Sequence, residues 1–162
     1  MPAAKTLIQR IGENFMDEMN TDLDNTAYRT LKGYEIMENS QITYAMEDYL
    51  EMICRHANEK GYVRINSLAS MLGVKPSSSS KMANNLRDLG FVEYEKYGVI
   101  KPTPKGWELG KYLLYRHDVL HRLFCLINRS EDELEQTEKV EHFINQKTLH
   151  NIVRLIALLE KL

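Results

Sequence analysis

The 162-residue sequence carries 21 Lys and Arg against 23 Asp and Glu, a formal charge of −2, and is 43% hydrophobic. Those values are of an ordinary soluble protein, long enough for one or two small domains with buried cores. No apolar run approaches the ~20 residues of a membrane span, and Met1-Pro2-Ala3-Ala4-Lys5 lacks the apolar region of a secretory signal. Cys54 and Cys125 both lie in apolar helical patterns and read as small buried residues rather than a disulfide. A cytoplasmic protein without a membrane partner is expected, and its near-neutral charge argues against non-specific coating of DNA.

In residues 1–40, Leu7, Ile8, Ile11, Phe15 and Met19 recur at helical spacing, so residues 1–42 are assigned as an N-terminal extension, a helical arm without assigned chemistry. Thr43 to Asn58 reads as a helix with Met46, Tyr49, Leu50 and Ile53 in one stripe. Asp48 and Glu51 fall opposite that stripe, about 60° apart. Taken alone, such an acidic pair is a solvated face. Gly61 releases the chain into Tyr62-Val63-Arg64, a short strand able to pair with a later one.

Arg64 to Gly106 is a winged helix-turn-helix pattern. Asn66 is placed to cap a first helix carrying Leu68, Met71 and Leu72, and Gly73 to end it. Pro76 opens a second helix with Met82, Leu86 and Leu89 inward and Gly90 as its stop. Two extended runs hinged at Gly98 form the wing. From Lys75 to Lys105 there are six Lys or Arg against three acids, so positive charge gathers where phosphates would lie. Lys75, Pro76, Ser77, Ser78, Ser79 and Lys81 are candidates to enter a major groove, and Lys96 and Lys101 to meet phosphates from the wing. The bland alternative is a winged helix that contacts only proteins.

Thr103-Pro104 then starts a helix predicted to run to about Leu126, with Leu109, Leu113, Leu120, Leu123 and Phe124 along one side. His117 and His121, one turn apart, are an alternative metal pair. After a polar loop, Glu138, Glu141 and His142 converge on one patch if that segment is helical. As pure pattern this is weakly specific. Asn145 caps a last helix whose stripe is Leu149, Ile152, Val153, Ile156, Leu159 and Leu162. Residues 43–106 and 107–162 are thus read as two domains.

Met46-Glu47-Asp48-Tyr49-Leu50-Glu51, Tyr115-Arg116-His117 and Glu138-x-x-Glu141-His142 occur in that order around the Lys75-Pro76-Ser77-Ser78 helix and the Tyr94-Glu95-Lys96-Tyr97-Gly98 wing. Together they resemble the diphtheria toxin repressor family of metal-dependent transcription factors, and within it the manganese transport regulators, over Thr43 to Leu162. The resemblance implies a mainly α chain: an N-terminal winged helix-turn-helix that binds double-stranded operator DNA, then a helical metal-binding and dimerisation domain. It implies a homodimer with no enzymatic activity and no organic small-molecule substrate. It implies metal ligands at Asp48, Glu51, His117, Glu138, Glu141 and His142, two Mn²⁺ per subunit, and Glu51 and Glu141 placed to bridge, with Fe²⁺, Zn²⁺ or Cd²⁺ as substitutes.

Iron-responsive relatives have a methionine at the position of Asp48 and a cysteine at that of Glu138; carboxylates there suit the harder Mn²⁺. The sequence ends at Leu162, so the SH3-like domain of those relatives is expected to be missing. The implied activity is repression of metal-uptake genes when Mn²⁺-loaded. Rival readings are an iron- or zinc-responsive repressor of the same family, a winged-helix regulator that senses no metal, and a di-metal enzyme. The last lacks the paired Glu-x-x-His repeats of di-iron bundles and any convincing nucleophile or phosphate loop.

Overall fold

The structure, a computed structural model, describes residues 42–95 and 98–161. The helical arm expected in residues 1–40 and the wing-tip Lys96 lie outside the described residues.

Helix α1, Tyr44–Lys60, starts at Thr43, whose hydroxyl accepts the Met46 N–H at 3.3 Å, and stops at Gly61 with φ 75°. Its expected stripe is inward: Tyr49, Leu50 and Ile53 are buried. The chain passes through strand β1 (Val63–Arg64) directly into α2 (Ile65–Met71). This overturns the cap expected at Asn66. Arg64, still extended in the strand, occupies the cap position and offers no side-chain hydrogen bond. Gly73, at φ 64°, turns the chain as expected into α3 (Pro76–Asp88), with Pro76 in its first turn. Strands β2 (Val92–Glu95) and β3 (Val99–Pro102) form the antiparallel wing. Strand β1 joins β3 through Val63 opposite Ile100, giving the order β1-β3-β2.

Helix α4, Pro104–Asn128, begins at Thr103, whose hydroxyl accepts the Gly106 N–H at 3.1 Å. It outruns the predicted Leu126 and ends where Arg129 turns left-handed at φ 54°. A loop leads to α5 (Leu134–Val140), a 3₁₀ turn (Glu141–Phe143) and α6 (Gln146–Leu159), capped by Asn145. The expectation of a mainly α chain with a winged helix-turn-helix followed by a helical region is borne out.

Two apolar clusters organise these elements. Leu50, Ile53, Leu68, Ala83, Leu86, Ile100 and Leu113 centre the larger one, and Val119, Leu120 and Leu149 the smaller. Helix α4 supplies Leu113 to the first and Leu120 to the second, so one continuous rod of 25 residues, about 37 Å long, runs through both. Close packing of α4 on α1 depends on Gly110, where an added Cβ would overlap the Cys54 Sγ.

Candidate metal centre and reading face

Three separate segments deliver acids and imidazoles to one place. Helix α1 brings Asp48 and Glu51, α4 brings His117, and the end of α5 with its 3₁₀ turn brings Glu138, Glu141 and His142. The last three are not on one regular helix. The α-helix stops at Val140, and the tighter turn aims Glu141 inward and His142 toward α1.

Two groups of potential ligand atoms result, Asp48–Glu141–His142 and Glu51–His117–Glu141, each with its atoms within 4.8 Å of one another. Glu141 is common to both and 1% exposed. His142 Nε2 lies 2.7 Å from Asp48 Oδ1 and 3.8 Å from Glu141 Oε1. His117 Nδ1 lies 2.9 Å from Glu141 Oε2, 3.8 Å from Glu51 Oε1 and 3.7 Å from Glu138 Oε1. Glu51 belongs to one group, and Glu138, more exposed, borders His117 from outside. All six predicted ligands are thus brought together. Glu51, which periodicity placed on a solvated face, is buried because α4 packs over that side of α1.

The electrostatics match this crowding. Burial, with the nearby Glu141 charge, raises the Glu51 carboxyl above its ordinary value against the pull of Arg55, which donates to it at 2.8 Å. Burial and Glu141 likewise raise Glu138. The hydrogen bond to Glu141 raises His117. Burial opposes protonation of His142, yet Asp48 and Glu47 lift it to about 9. In this arrangement the imidazoles are the counter-charge to the carboxylates. Glu141 Oε1 is buried without a hydrogen-bond partner. A carboxylate oxygen so placed is costly unless a cation meets it. The donor set, carboxylate oxygens with two imidazole nitrogens, fits a divalent cation of the hard-to-borderline kind.

The alternative pair His117/His121 is not assembled. The rings lie 6.4 Å apart, and His121 Nε2 instead accepts the Glu133 N–H at 3.3 Å, tying down the loop before α5.

Sequence reasoning gave no role to Glu47, Arg116 or Tyr44. Glu47 Oε2 is 2.8 Å from His142 Nδ1 and 2.7 Å from Arg116, whose side chain is 4% exposed. Tyr44 stacks on the His142 ring at 5.4 Å. A signal for Arg116 was available. It sits three residues after Leu113 and four before Leu120, on the apolar stripe, where an arginine needs a carboxylate partner.

On the reading face, Lys75, Pro76, Ser77, Ser78 and Lys81 are exposed along the first turns of α3. Ser79 is a correction: it is 0% exposed and turned into the core, because the helical period places it with Ala83 and Leu86, so it cannot touch DNA. Ser80 is hydrogen-bonded to the Tyr94 hydroxyl at 3.0 Å, linking α3 to the wing. Lys101 is paired with Glu95 across the wing at 2.7 Å.

Residues 41–100 match the family model for the iron dependent repressor, N-terminal DNA binding domain. The HTH-type transcriptional regulator MntR of Bacillus pumilus (strain SAFR-032) is 37% identical over 120 residues, covering 74% of this chain and 83% of that protein. MntR of Bacillus subtilis (strain 168) is 36% identical over 120 residues, covering 74% and 84%. Among solved structures, T. acidophilum IdeR aligns with TM-score 0.60 and 23% identity over 68% of this chain and 53% of that one. The manganese regulator SloR aligns with TM-score 0.59 and 20% identity over 69% and 53%. The chain spans about half the length of these two solved chains, and their likeness is one of fold. With the MntR proteins alike over most of both chains, this chain belongs to the diphtheria toxin repressor family of metal-dependent, DNA-binding transcription regulators.

Proposed function

We propose that the protein is a manganese-responsive repressor of metal-uptake genes, working as a cytoplasmic homodimer on double-stranded operator DNA. The observation that carries this is Glu141: one buried carboxylate common to two ligand groups, with an oxygen that accepts no hydrogen bond. Asp48, Glu51, His117, Glu138, Glu141 and His142 would hold two divalent cations per subunit. The cations supply positive charge, bringing four carboxylates and two neutral imidazoles close to neutrality. Carboxylates a few Å apart repel by about 1 kcal/mol per pair in water and several times that near a protein surface. Without the cations, His117 and His142 offset only part of the repulsion between Asp48 and Glu51 on α1 and Glu138 and Glu141, and the remainder loosens the winged helix against α5.

Helix α1 packs on α3, so the cluster's grip on α1 is also a grip on the reading helix. In a two-fold dimer, two such helices must span half-sites about 34 Å apart. Fixing them in advance removes an ordering cost; a coupling of about 1–3 kcal/mol, roughly 5- to 150-fold in DNA affinity, is typical. A second copy is supported by the outer face of α6, where Leu155 and Leu158 are exposed. No helix among the described residues is long and apolar enough to cross a membrane. Lys75, Pro76, Ser77, Ser78 and Lys81 would contact the duplex, with Lys96 and Lys101 on wing phosphates.

The deciding experiment selects duplexes from a randomised pool with Mn²⁺ present, then measures binding with Mn²⁺, Fe²⁺, Zn²⁺ and chelator at matched ionic strength. Tight binding with Mn²⁺ and its loss in chelator is the expected result. Binding indifferent to chelator would leave a winged-helix regulator that senses no metal. Activation by Fe²⁺ or Zn²⁺ alone would reassign the metal; affinity alone cannot, because Zn²⁺ outranks Mn²⁺ at most nitrogen and oxygen sites.

A further inference from the structure

The buried pair Glu47–Arg116 lies just outside the ligand cluster, one residue from Asp48 on α1 and one from His117 on α4. Arg116 is almost fully buried, its Nε has no hydrogen-bond partner, and Glu47 is its ion-pair partner among the described residues. A buried guanidinium is costly unless it is paired, and Glu47 supplies that partner where α4 packs on α1. It also does something a plain staple would not. Glu47 Oε2 faces His142 Nδ1 at 2.8 Å while His142 Nε2 faces Asp48 at 2.7 Å.

An imidazole has two nitrogens, and the partner of one decides which is left for the other task. A carboxylate can only accept, so in the metal-free protein both nitrogens carry protons, Nδ1 toward Glu47 and Nε2 toward Asp48. A cation held by Asp48 and Glu141 would displace the Nε2 proton and leave Nδ1–H on Glu47. Arg116 lies 3.2 Å from the same Nδ1 because both hold the same Glu47 oxygen; with Nδ1 protonated, its guanidinium donates to Glu47 alone. The lone pair of a neutral His142 is thereby left on Nε2, the nitrogen beside Asp48 and Glu141.

We propose that Glu47, fixed by Arg116, is a positioning residue that sets the tautomer and ring orientation of His142, and thereby the affinity of the Asp48–Glu141–His142 group and not of the Glu51–His117–Glu141 group. The inference rests on the metal-binding reading above. It also qualifies that reading: α1 and α4 are joined by an ion pair that needs no metal, so the winged helix keeps part of its alignment in the metal-free state.

The test compares wild type, E47Q and E47L/R116L. The double variant replaces the ion pair with apolar side chains, a change buried pairs tolerate. Mn²⁺ binding is followed by calorimetry and by loss of the free-ion EPR signal. Nitrogen-15 shifts of the histidines are recorded with diamagnetic Cd²⁺. Wild type should bind two Mn²⁺ with His142 protonated at Nδ1 and perturbed by Cd²⁺ at Nε2. E47L/R116L should weaken one of the two ions by about 10- to 100-fold and leave the other unchanged, as loss of a supporting hydrogen bond to a ligand does. E47Q, which keeps an acceptor but not its charge, should fall between them. If the double variant lacks the native circular dichroism spectrum, E47Q decides alone.

Two Mn²⁺ bound at wild-type affinity in a folded variant, equal weakening of both ions, or Cd²⁺ on Nδ1 of His142 would overturn the inference and leave the metal-binding reading standing. A wild-type chain that takes up no Mn²⁺ would overturn both.

Discussion

The ligand cluster and the reading face are built on opposite principles. The cluster buries charge: Glu51, His117 and Glu141 are all less than 10% exposed, and Glu141 keeps an unpartnered oxygen. On the reading face Ser77, Ser78 and Lys81 stand in solvent on a helix whose inner side is ordinary core. Exposed polar groups cost the fold little. Buried carboxylates cost several kcal/mol each unless something answers them. The cluster is therefore tensioned and the reading face relaxed, with α1 connecting the two.

Removing the shared carboxylate should have the largest effect. In E141Q both ligand groups lose a charged oxygen, and Mn²⁺ affinity should fall at least about 100-fold for both ions, more than an outer residue costs. The metal-free protein should not gain thermal stability, because the same substitution breaks the buried pair between His117 and Glu141, and removing one partner of such a pair is destabilising. Equilibrium dialysis and a melting curve in chelator check the two halves. A metal-free E141Q melting several degrees higher than wild type would mean that the cost of burying the Glu141 carboxylate outweighs its pair with His117.

The contact between α1 and α4 comes next. G110A puts a methyl group onto the Cys54 Sγ and should destabilise the fold by about 1–3 kcal/mol, read as a lower denaturant midpoint. Since α1 carries Asp48 and Glu51 while α4 carries His117, the same variant should weaken Mn²⁺ binding more than binding to DNA at saturating Mn²⁺. Equal losses would mean that the two regions do not respond separately.

How legible each region was in sequence follows from how each is assembled. The reading helix is continuous, so Gly73, Pro76 and Gly90 announce its bounds, and only the period of 3.6 was misapplied at Ser79. The cluster is gathered from residues up to 94 positions apart, Asp48 to His142, and no local pattern states that they meet. Taken by itself, the acidic side of α1 looked solvated because periodicity shows where a helix faces its own core but not what later covers its other side. The 3₁₀ turn at Glu141 was invisible for a related reason: helical spacing puts 138, 141 and 142 on one patch, and tertiary demand tightened the turn. Glu47 and Arg116 escaped because each was read as a neighbour of a ligand rather than as a partner of the other.

On the reading face a milder effect is expected. K81A removes one exposed cation from α3 without touching the core. It should weaken binding to matched and unmatched duplexes alike and reduce the slope of log affinity against log salt by about one. Mn²⁺ stoichiometry should not change. If K81A instead relaxed the preference for one base position, Lys81 would be reading sequence, not phosphate.

The smallest effect falls on the two thiols, and it discriminates between the regions without perturbing either. Cys54 is fully buried between α1 and α4, donates to the Gly106 carbonyl at 3.7 Å, and is pushed by burial up to about 12. At pH 8 it is held as the unreactive thiol. Cys125 is partly exposed on α4 near His121. Alkylation at pH 8 should therefore label Cys125 alone, and denaturant should release Cys54 at the rate at which α4 leaves α1. Adding Mn²⁺ should slow that release, because Asp48 and Glu51 on α1 are then tied to α4 and to the turn after α5. An unchanged rate in saturating Mn²⁺ would mean that the cluster does not clamp these helices, and the mechanical link from metal to reading head would have to run elsewhere.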